Sequence, residues 1–200
     1  MTDPVEFFEQ QFQRQLRDAD FALNPFEQLA LPQVAGEVLD LGCGLGNLSL
    51  EAARRGCSVL AVDASVSAIE RLRTAAARER LRLEALQADL GDYRIARDYD
   101  SIVAIGLLMF FRRERAQDLL LQIRQRVRPG GRAIVNVLIE GTTYLGMFKP
   151  GEYTLFGANE LEQAFAGWTL LAARHDSFAA PENTRKEFAT VIAMKPAPAP

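Results

Sequence analysis

The sequence predicts an α/β protein built on a mainly parallel sheet, and three observations carry that reading. Short apolar runs alternate with stretches of helical spacing along most of the chain. These runs lack polar alternation, as strands do when both faces of their sheet are covered. The first of them, residues 38–41, passes directly into glycines at 42, 44 and 46, the punctuation of a strand-to-helix turn. Repeats of this kind and length form βαβ units.

The elements follow in order. Val5, Phe8, Phe12 and Leu16 recur every four residues, so an amphipathic helix starts after Pro4. Asn24-Pro25 reads as its stop, and residues 1–35 are expected to form a helical lead-in that caps the main fold. Residues 38–41 are the first strand, 48–55 a helix and 58–62 the second strand. A second core helix spans 65–80, with Ser65 as its N-cap. Strands are expected at 83–88 and 101–105, then a long helix over 113–127 that Pro129-Gly130-Gly131 stops, then a fifth strand at 133–139. Residues 140–156 form a long loop with scattered aromatics. A short helix near 159–165 and strands near 168–174 and 187–194 complete a domain expected to span 36–195. The alternating Pro-Ala tail, 196–200, reads as disordered.

Composition narrows the function. Two hundred residues suit one domain with an ordinary core. Lys and Arg number 23 against 26 Asp and Glu, a net of −3, which argues against a nucleic-acid binder. Cys43 and Cys57 are the only cysteines and His175 the only histidine. A disulfide framework and a His/Cys zinc cluster are thereby excluded, and no metal is expected. A Ser-His-Asp hydrolase would have to use His175. The N-terminus lacks a signal-peptide pattern, and the longest apolar run, 102–111, is about half the ~20 residues a bilayer span needs. No membrane association is expected, and the cytoplasm is the expected compartment. The arginine-rich stretches 71–82 and 112–115 read as solvent faces with i,i+4 pairs.

The chemistry concentrates between residues 38 and 63. Glycines between a strand and a helix let backbone approach a ligand at the helix N-terminus. Asp63 ends the second strand, where a carboxylate can accept both hydroxyls of a ribose. A dinucleotide motif, G-x-G-x-x-G, needs glycine where this chain has Asn47. Asp40 would also repel a pyrophosphate, which disfavours a nicotinamide-dependent oxidoreductase. A carboxylate there suits a ligand with positive charge at that end, such as the amino group and sulfonium of S-adenosylmethionine. No Lys-Ser or Lys-Thr follows the glycines, so a P-loop is excluded.

The run VLDLGCGLGNLSLEAARRGCSVLAVDAS resembles the first two motifs of class I S-adenosylmethionine-dependent methyltransferases. Ala88-Asp89-Leu90 resembles their acidic motif after the third strand, and Val127-Arg128-Pro129-Gly130-Gly131 their turn into the fifth. The resemblance covers about residues 36 to 139. Outside that core motif set, Gly106-Leu107-Leu108-Met109-Phe110-Phe111, Phe165-Ala166-Gly167-Trp168 and Phe188-Ala189-Thr190 are similar to the tellurite-resistance branch.

The resemblance implies a Rossmann-like, doubly wound seven-stranded sheet with helices on both faces and the last strand antiparallel. It implies S-adenosylmethionine as cofactor. Asp40 and the turn of Gly42, Cys43, Gly44 and Gly46 would hold the methionine moiety. Cys43 itself reads as a small buried residue rather than a nucleophile. Asp63 would hold the ribose, with Ala64 flanking the adenine. Asp89 would accept from the adenine amino group beside Leu90, and Ile105 and Gly106 would line the passage to the methyl. Phe110, Tyr144 and Phe148, with Tyr153 and Phe156, read equally as an apolar lid over the acceptor or as loop residues packed on the core.

The resemblance implies a methyltransferase acting by in-line transfer on a small-molecule acceptor, a metalloid oxyanion or a thiol. The tellurite-resistance branch has a His-Arg pair where this chain has Pro181 and Glu182; His175 does not match it, and Arg185 matches a following arginine only after a shift. That departure keeps a non-catalytic S-adenosylmethionine- or nucleoside-binding protein as the alternative. No general base is apparent.

Overall fold

The computed structural model describes residues 4–18 and 21–197. The helix after Pro4 is α1 (Pro4–Asp18). Asn24-Pro25, expected as a stop, instead begins a helix, α2 (Pro25–Ala30). Asn24 Oδ1 accepts the N–H groups of Phe26 and Glu27 at 2.9 and 3.0 Å, while Glu27 accepts the Asn24 N–H at 2.8 Å. That reciprocal capping box satisfies the orphan donors of the first turn, and Pro25 at its start has no N–H to lose. A 3₁₀ turn, Leu31–Gln33, then leads into the sheet.

The remaining elements are β1 (Glu37–Leu41), α3 (Asn47–Arg54), β2 (Ser58–Asp63), α4 (Val66–Glu79), β3 (Leu83–Gln87), β4 (Tyr99–Ile105), α5 (Arg113–Arg126), β5 (Val127–Leu138), α6 (Glu160–Ala164), β6 (Thr169–Ala180) and β7 (Thr184–Met194). They form one seven-stranded sheet in the order β3-β2-β1-β4-β5-β7-β6. β1 to β5 pair in parallel, and β7 runs antiparallel to both its neighbours. Strand order reverses between β1 and β4, the switch point at which open α/β sheets place their ligand crevice.

Successive strand residues serve opposite faces. Leu39, Leu41, Ile102 and Val135 pack with Leu119 and Ile123 of α5. Val38, Val59, Val103 and Ile134 pack with Leu48, Ile69 and Leu72 of α3 and α4. Both faces of the central strands are therefore dry, which is why those strands lack polar alternation.

Two boundaries differ from expectation. α5 ends at Arg126 and β5 begins at once, with Val127 opposite Tyr99. Pro129-Gly130-Gly131 therefore bends a strand rather than stopping a helix, and the register shifts there before Arg132 meets Ser101. The last two strands are longer than predicted. They form one ribbon whose turn holds Glu182 and Asn183 at φ 58°.

The arginine-rich stretches are not simple solvent faces. Arg54 reaches Glu79 at 2.7 Å, Arg113 reaches Glu160 at 3.0 Å, and Arg73 caps the Ala85 carbonyl at 2.9 Å, all between different elements. Among the described residues, no helix is long and apolar enough to cross a membrane, and no group of three His, Cys, Asp or Glu is placed to hold a metal. Residues 196–197 are irregular, and the rest of the expected tail, with residues 1–3 of the lead-in, lies outside the described residues.

Candidate functional site

A cleft of about 1070 Å³ opens at the C-terminal ends of β1, β2, β4 and β5 and is roofed by α1. Its floor is the turn after β1. Gly42, Gly44 and Gly46 all have positive φ, at 67°, 53° and 71°. That conformation is open to glycine and strained for other residues. Gly44 also needs its missing side chain, because a Cβ there would lie 3.1 Å from the ring of Phe12 in α1. Gly46 is different. It caps α3, a Cβ on it would meet Leu72 at 2.6 Å, and it does not line the cleft. Its service is to seat α3 against α4, rather than to face a ligand.

Three carboxylates come to this floor. Asp63 Oδ2 accepts the Gly44 N–H at 2.8 Å and Oδ1 accepts the Ser65 N–H at 2.9 Å. The carboxylate is thus fixed in direction while each oxygen keeps a lone pair for a ligand. Asp40 is 5% exposed, and Ser49 Oγ donates to its Oδ2 at 2.6 Å. Burial, only partly offset by Ser49 and reinforced by the charges of Glu27 and Asp63, pushes the Asp40 carboxyl up to about 7. Burial likewise raises Asp63 and Glu27, against the backbone N–H bonds they accept. Glu27, which lines the cleft from α2, was not foreseen; its capping-box position three residues after Asn24 was the available signal.

Cys43 lines the cleft, and burial drives its thiol well above the usual range, so it stays protonated and inert. Ala64, Asp89, Leu90, Ile105 and Gly106 also line it. Asp89 is exposed and its Oδ1 accepts the Gly91 N–H at 2.7 Å, so it shapes its own turn while facing the cleft. Arg115 holds this loop from α5, donating to the carbonyls of Leu90 and Tyr93 at 2.7 and 2.6 Å.

The aromatic residues divide between the two readings. Phe110 and Tyr144 line the cleft, while Phe148 does not. Phe148 is buried behind Phe110, 5.0 Å between ring centroids, and stacks on Tyr153 at 4.6 Å. Phe156 lies fully in the core. The far wall holds Phe26, Asn136, Lys186 and Phe188, to none of which sequence reasoning gave a role in the site. The available signal for Asn136 was a lone amide within an apolar strand. His175 is exposed on β6 and bonds the Ala158 carbonyl, away from the cleft. Arg185 pairs with Glu187 outside it, whereas Pro181 and Lys186 reach its wall.

α1 closes the cleft with Phe8, Gln11, Phe12 and Gln15. Glu9 fastens it to the start of α4, accepting from Ser65 Oγ at 2.5 Å and from Ser67 Oγ. Arg14 and Arg17 are exposed on the opposite side.

Known proteins share the fold and part of the sequence. Residues 38–131 match the model of a methyltransferase domain, a span that holds all the candidates on the floor of the cleft from Asp40 to Gly106. Over that span the chain carries a methyltransferase domain, and the matches support an enzyme of the class I S-adenosylmethionine-dependent kind. Among such proteins it is similar to TehB. It is 28% identical to the probable S-adenosyl-L-methionine-dependent methyltransferase TehB of Haemophilus influenzae, over 80% of this chain and 57% of that protein. The crystal structure of that organism's TehB superposes with a TM-score of 0.75 at 24% identity, covering 90% of this chain and 65% of the other. "Hemagglutinin 1" of Eikenella corrodens is 31% identical over 80% of this chain and 55% of its own length. The chain thus spans little more than half of the curated relatives it matches. The N-methyltransferase NodS of Bradyrhizobium japonicum, solved with S-adenosyl-L-homocysteine, shares the fold at TM-score 0.67 and 17% identity, covering 98% of this chain and all of the other.

Proposed function

We propose that the protein binds S-adenosylmethionine in this cleft and transfers its methyl group to a small-molecule acceptor. One observation carries the reading: Glu27, Asp40 and Asp63 face the same cleft, and burial raises all three. A floor that concentrates unpaired negative charge selects a ligand with positive charge. A pyrophosphate would deepen the conflict, whereas an ammonium and a sulfonium relieve it.

In this reading Asp40 and the backbone of the Gly42–Gly44 turn hold the methionine end, joined by Glu27. Asp63 accepts the ribose hydroxyls, and its two backbone N–H bonds keep it from turning away. Ala64, Asp89 and Leu90 flank the adenine. Ile105 and Gly106 face the passage to the acceptor, and α1 with α2 forms a cap. When bound, the cofactor supplies a methyl carbon already activated by sulfonium, so the leaving group needs no proton. The chain's part is to orient and to exclude water. Phe8, Phe12 and Phe110, which roof the cleft, do the latter.

Similarity to TehB favours a metalloid oxyanion or a thiol as acceptor. Against the oxyanion, Pro181 and Glu182 supply no cation where that branch has its His-Arg pair. A thiolate needs neither that pair nor a general base. Calorimetry with S-adenosylhomocysteine tests the cofactor half, with a micromolar Kd expected, about 8 kcal/mol. Turnover of labelled S-adenosylmethionine with tellurite, selenite and small thiols tests the acceptor half. Failure to bind S-adenosylhomocysteine would refute the cofactor assignment. Binding without turnover would favour the non-catalytic alternative.

A further inference from the structure

Beyond the cofactor floor, the cleft continues along β5 and β7. Asn136 stands beside Ile105 in the sheet, and its backbone carbonyl accepts the Gly106 N–H at 3.0 Å. Its side chain is fully buried, bonded through Nδ2 to Thr190 Oγ1 at 2.8 Å, and its Oδ1 has no hydrogen-bond partner. Thr190 opposes Asn136 across β5–β7. Because alternate strand residues share a face, Phe188 and Lys186 continue that row outward along β7.

Lys186 is the unusual member. It is half-buried, and burial alone lowers its ammonium below the ordinary range. Among the described residues its Nζ has no hydrogen bond or ion pair; its contact is the Tyr144 ring, 4.7 Å away. The nearby acids are engaged elsewhere: Glu187 with Arg185 and Ser177, and Glu152 with Arg112. Between Lys186 and Asn136 the wall is aromatic, with Phe188 packed on Phe26 at 4.8 Å. The distance along the strand from Lys186 to Thr190 is on the order of 13 Å between Cα atoms, part of which the lysine stem recovers.

We propose that this wall is the acceptor site, and that it takes an organic anion with an apolar body: its carboxylate on Lys186 and Tyr144, its hydrocarbon against Phe26 and Phe188, and its nucleophile near Asn136. The proposal rests on the methyltransferase reading and narrows it. A cation with no hydrogen bond or ion pair among the described residues at one end and an unbonded amide oxygen at the other, joined by aromatic rings, define an elongated amphipathic ligand. A compact inorganic oxyanion would satisfy Lys186 but leave the aromatic wall empty. For a thiol-bearing acceptor, the sulfur–carbon bond to the methyl forms as the sulfonium carbon–sulfur bond breaks. The electron pair goes to the departing sulfur, and the acceptor's thiol proton, which the bound thiol donates to Asn136 Oδ1, passes to solvent as the new bond forms. Lys186 positions the far end and is a specificity residue rather than a catalytic one.

The test uses 4-mercaptophenylacetate, its methyl ester, tellurite and selenite as probes on the S-adenosylhomocysteine-loaded full chain, by calorimetry, and then in turnover with S-adenosylmethionine. The wild type is expected to bind the carboxylate at least tenfold more tightly than the ester. Lys186→Met should erase that preference, raising KM for the carboxylate at least tenfold with kcat little changed, and Lys186→Arg should restore most of it. S-adenosylhomocysteine affinity should stay the same in all three, which separates failure here from failure of the cofactor assignment. Equal binding of acid and ester, no binding of either, or a Lys186→Met protein that handles the acid like wild type would overturn the proposal. So would selective use of tellurite or selenite that Lys186→Met leaves intact.

Discussion

Asp40→Asn makes the sharpest test of the floor of the cleft. Folding moves this carboxyl from 3.8 to about 7, because burial penalises its charge and Glu27 and Asp63 stand nearby. The folded chain therefore holds the Asp40 proton more tightly than the unfolded chain does. Stability is complete below about pH 4 and declines as the pH rises to about 7. At about 1.4 kcal/mol per pH unit over about three units, the cost at pH 8 is bounded near 4 kcal/mol. Asparagine has nearly the same shape and still accepts from Ser49 Oγ, but carries no charge. With relaxation around the buried charge, about half the bound is expected, ~2 kcal/mol. For a chain of this length that is a gain in Tm of roughly 4–8 °C at pH 8, shrinking to nothing at pH 4. The assay is thermal unfolding of both proteins without ligand across pH 4–8.5. The same substitution should weaken S-adenosylmethionine more than S-adenosylhomocysteine, since only the former is a sulfonium. A wild-type Tm that is flat from pH 5 to 8, or a variant less stable at pH 8, would refute the charge argument.

Other expectations follow from single contacts. Asp63→Ala should lose about 1.5–3 kcal/mol of S-adenosylhomocysteine affinity by calorimetry, the worth of charged hydrogen bonds. Gly46→Ala should destabilise by about 1–3 kcal/mol in urea unfolding, from left-handed backbone and from crowding Leu72. Asn24→Ala should cost about 1 kcal/mol through the lost cap of α2. Arg115→Ala, which frees the carbonyls of Leu90 and Tyr93, should speed amide exchange in residues 89–93 and weaken S-adenosylhomocysteine several-fold. An unchanged exchange pattern would show that the loop holds itself.

The parallel half of the fold was legible because its signals are local. Each strand from 38 to 105 is built on a short, mostly apolar run, and Ser65 caps α4 as its position announces, accepting the Ala68 N–H at 3.1 Å. The floor was legible for the same reason: glycines in a row and Asp63 at a strand end. What escaped depends on pairing across the chain. Asn24-Pro25 reads as a stop for one helix but is the start of the next, and only the reciprocal Glu27 bond tells the two apart. Gly46 resembles its neighbours in the motif, but Leu72, from α4, decides that it packs rather than lines. Lys186 faces the cleft and Arg185 does not because a turn at 181–183 sets the β6–β7 register. A slip of one residue would exchange the two.

The way α1 is fastened has a kinetic side. Ser65 works twice, giving its N–H to Asp63 and its hydroxyl to Glu9, so the floor and the roof of the cleft hang from one residue. Phe12 rests on Gly44, at the centre of that floor. A molecule passing on the side that α1 covers must displace the Phe8–Phe12 face, which moves when Glu9 lets go of Ser65 and Ser67. Exchange on that side is thus tied to helix release, and residence time in the cleft depends in part on a helix that lies outside the sheet altogether.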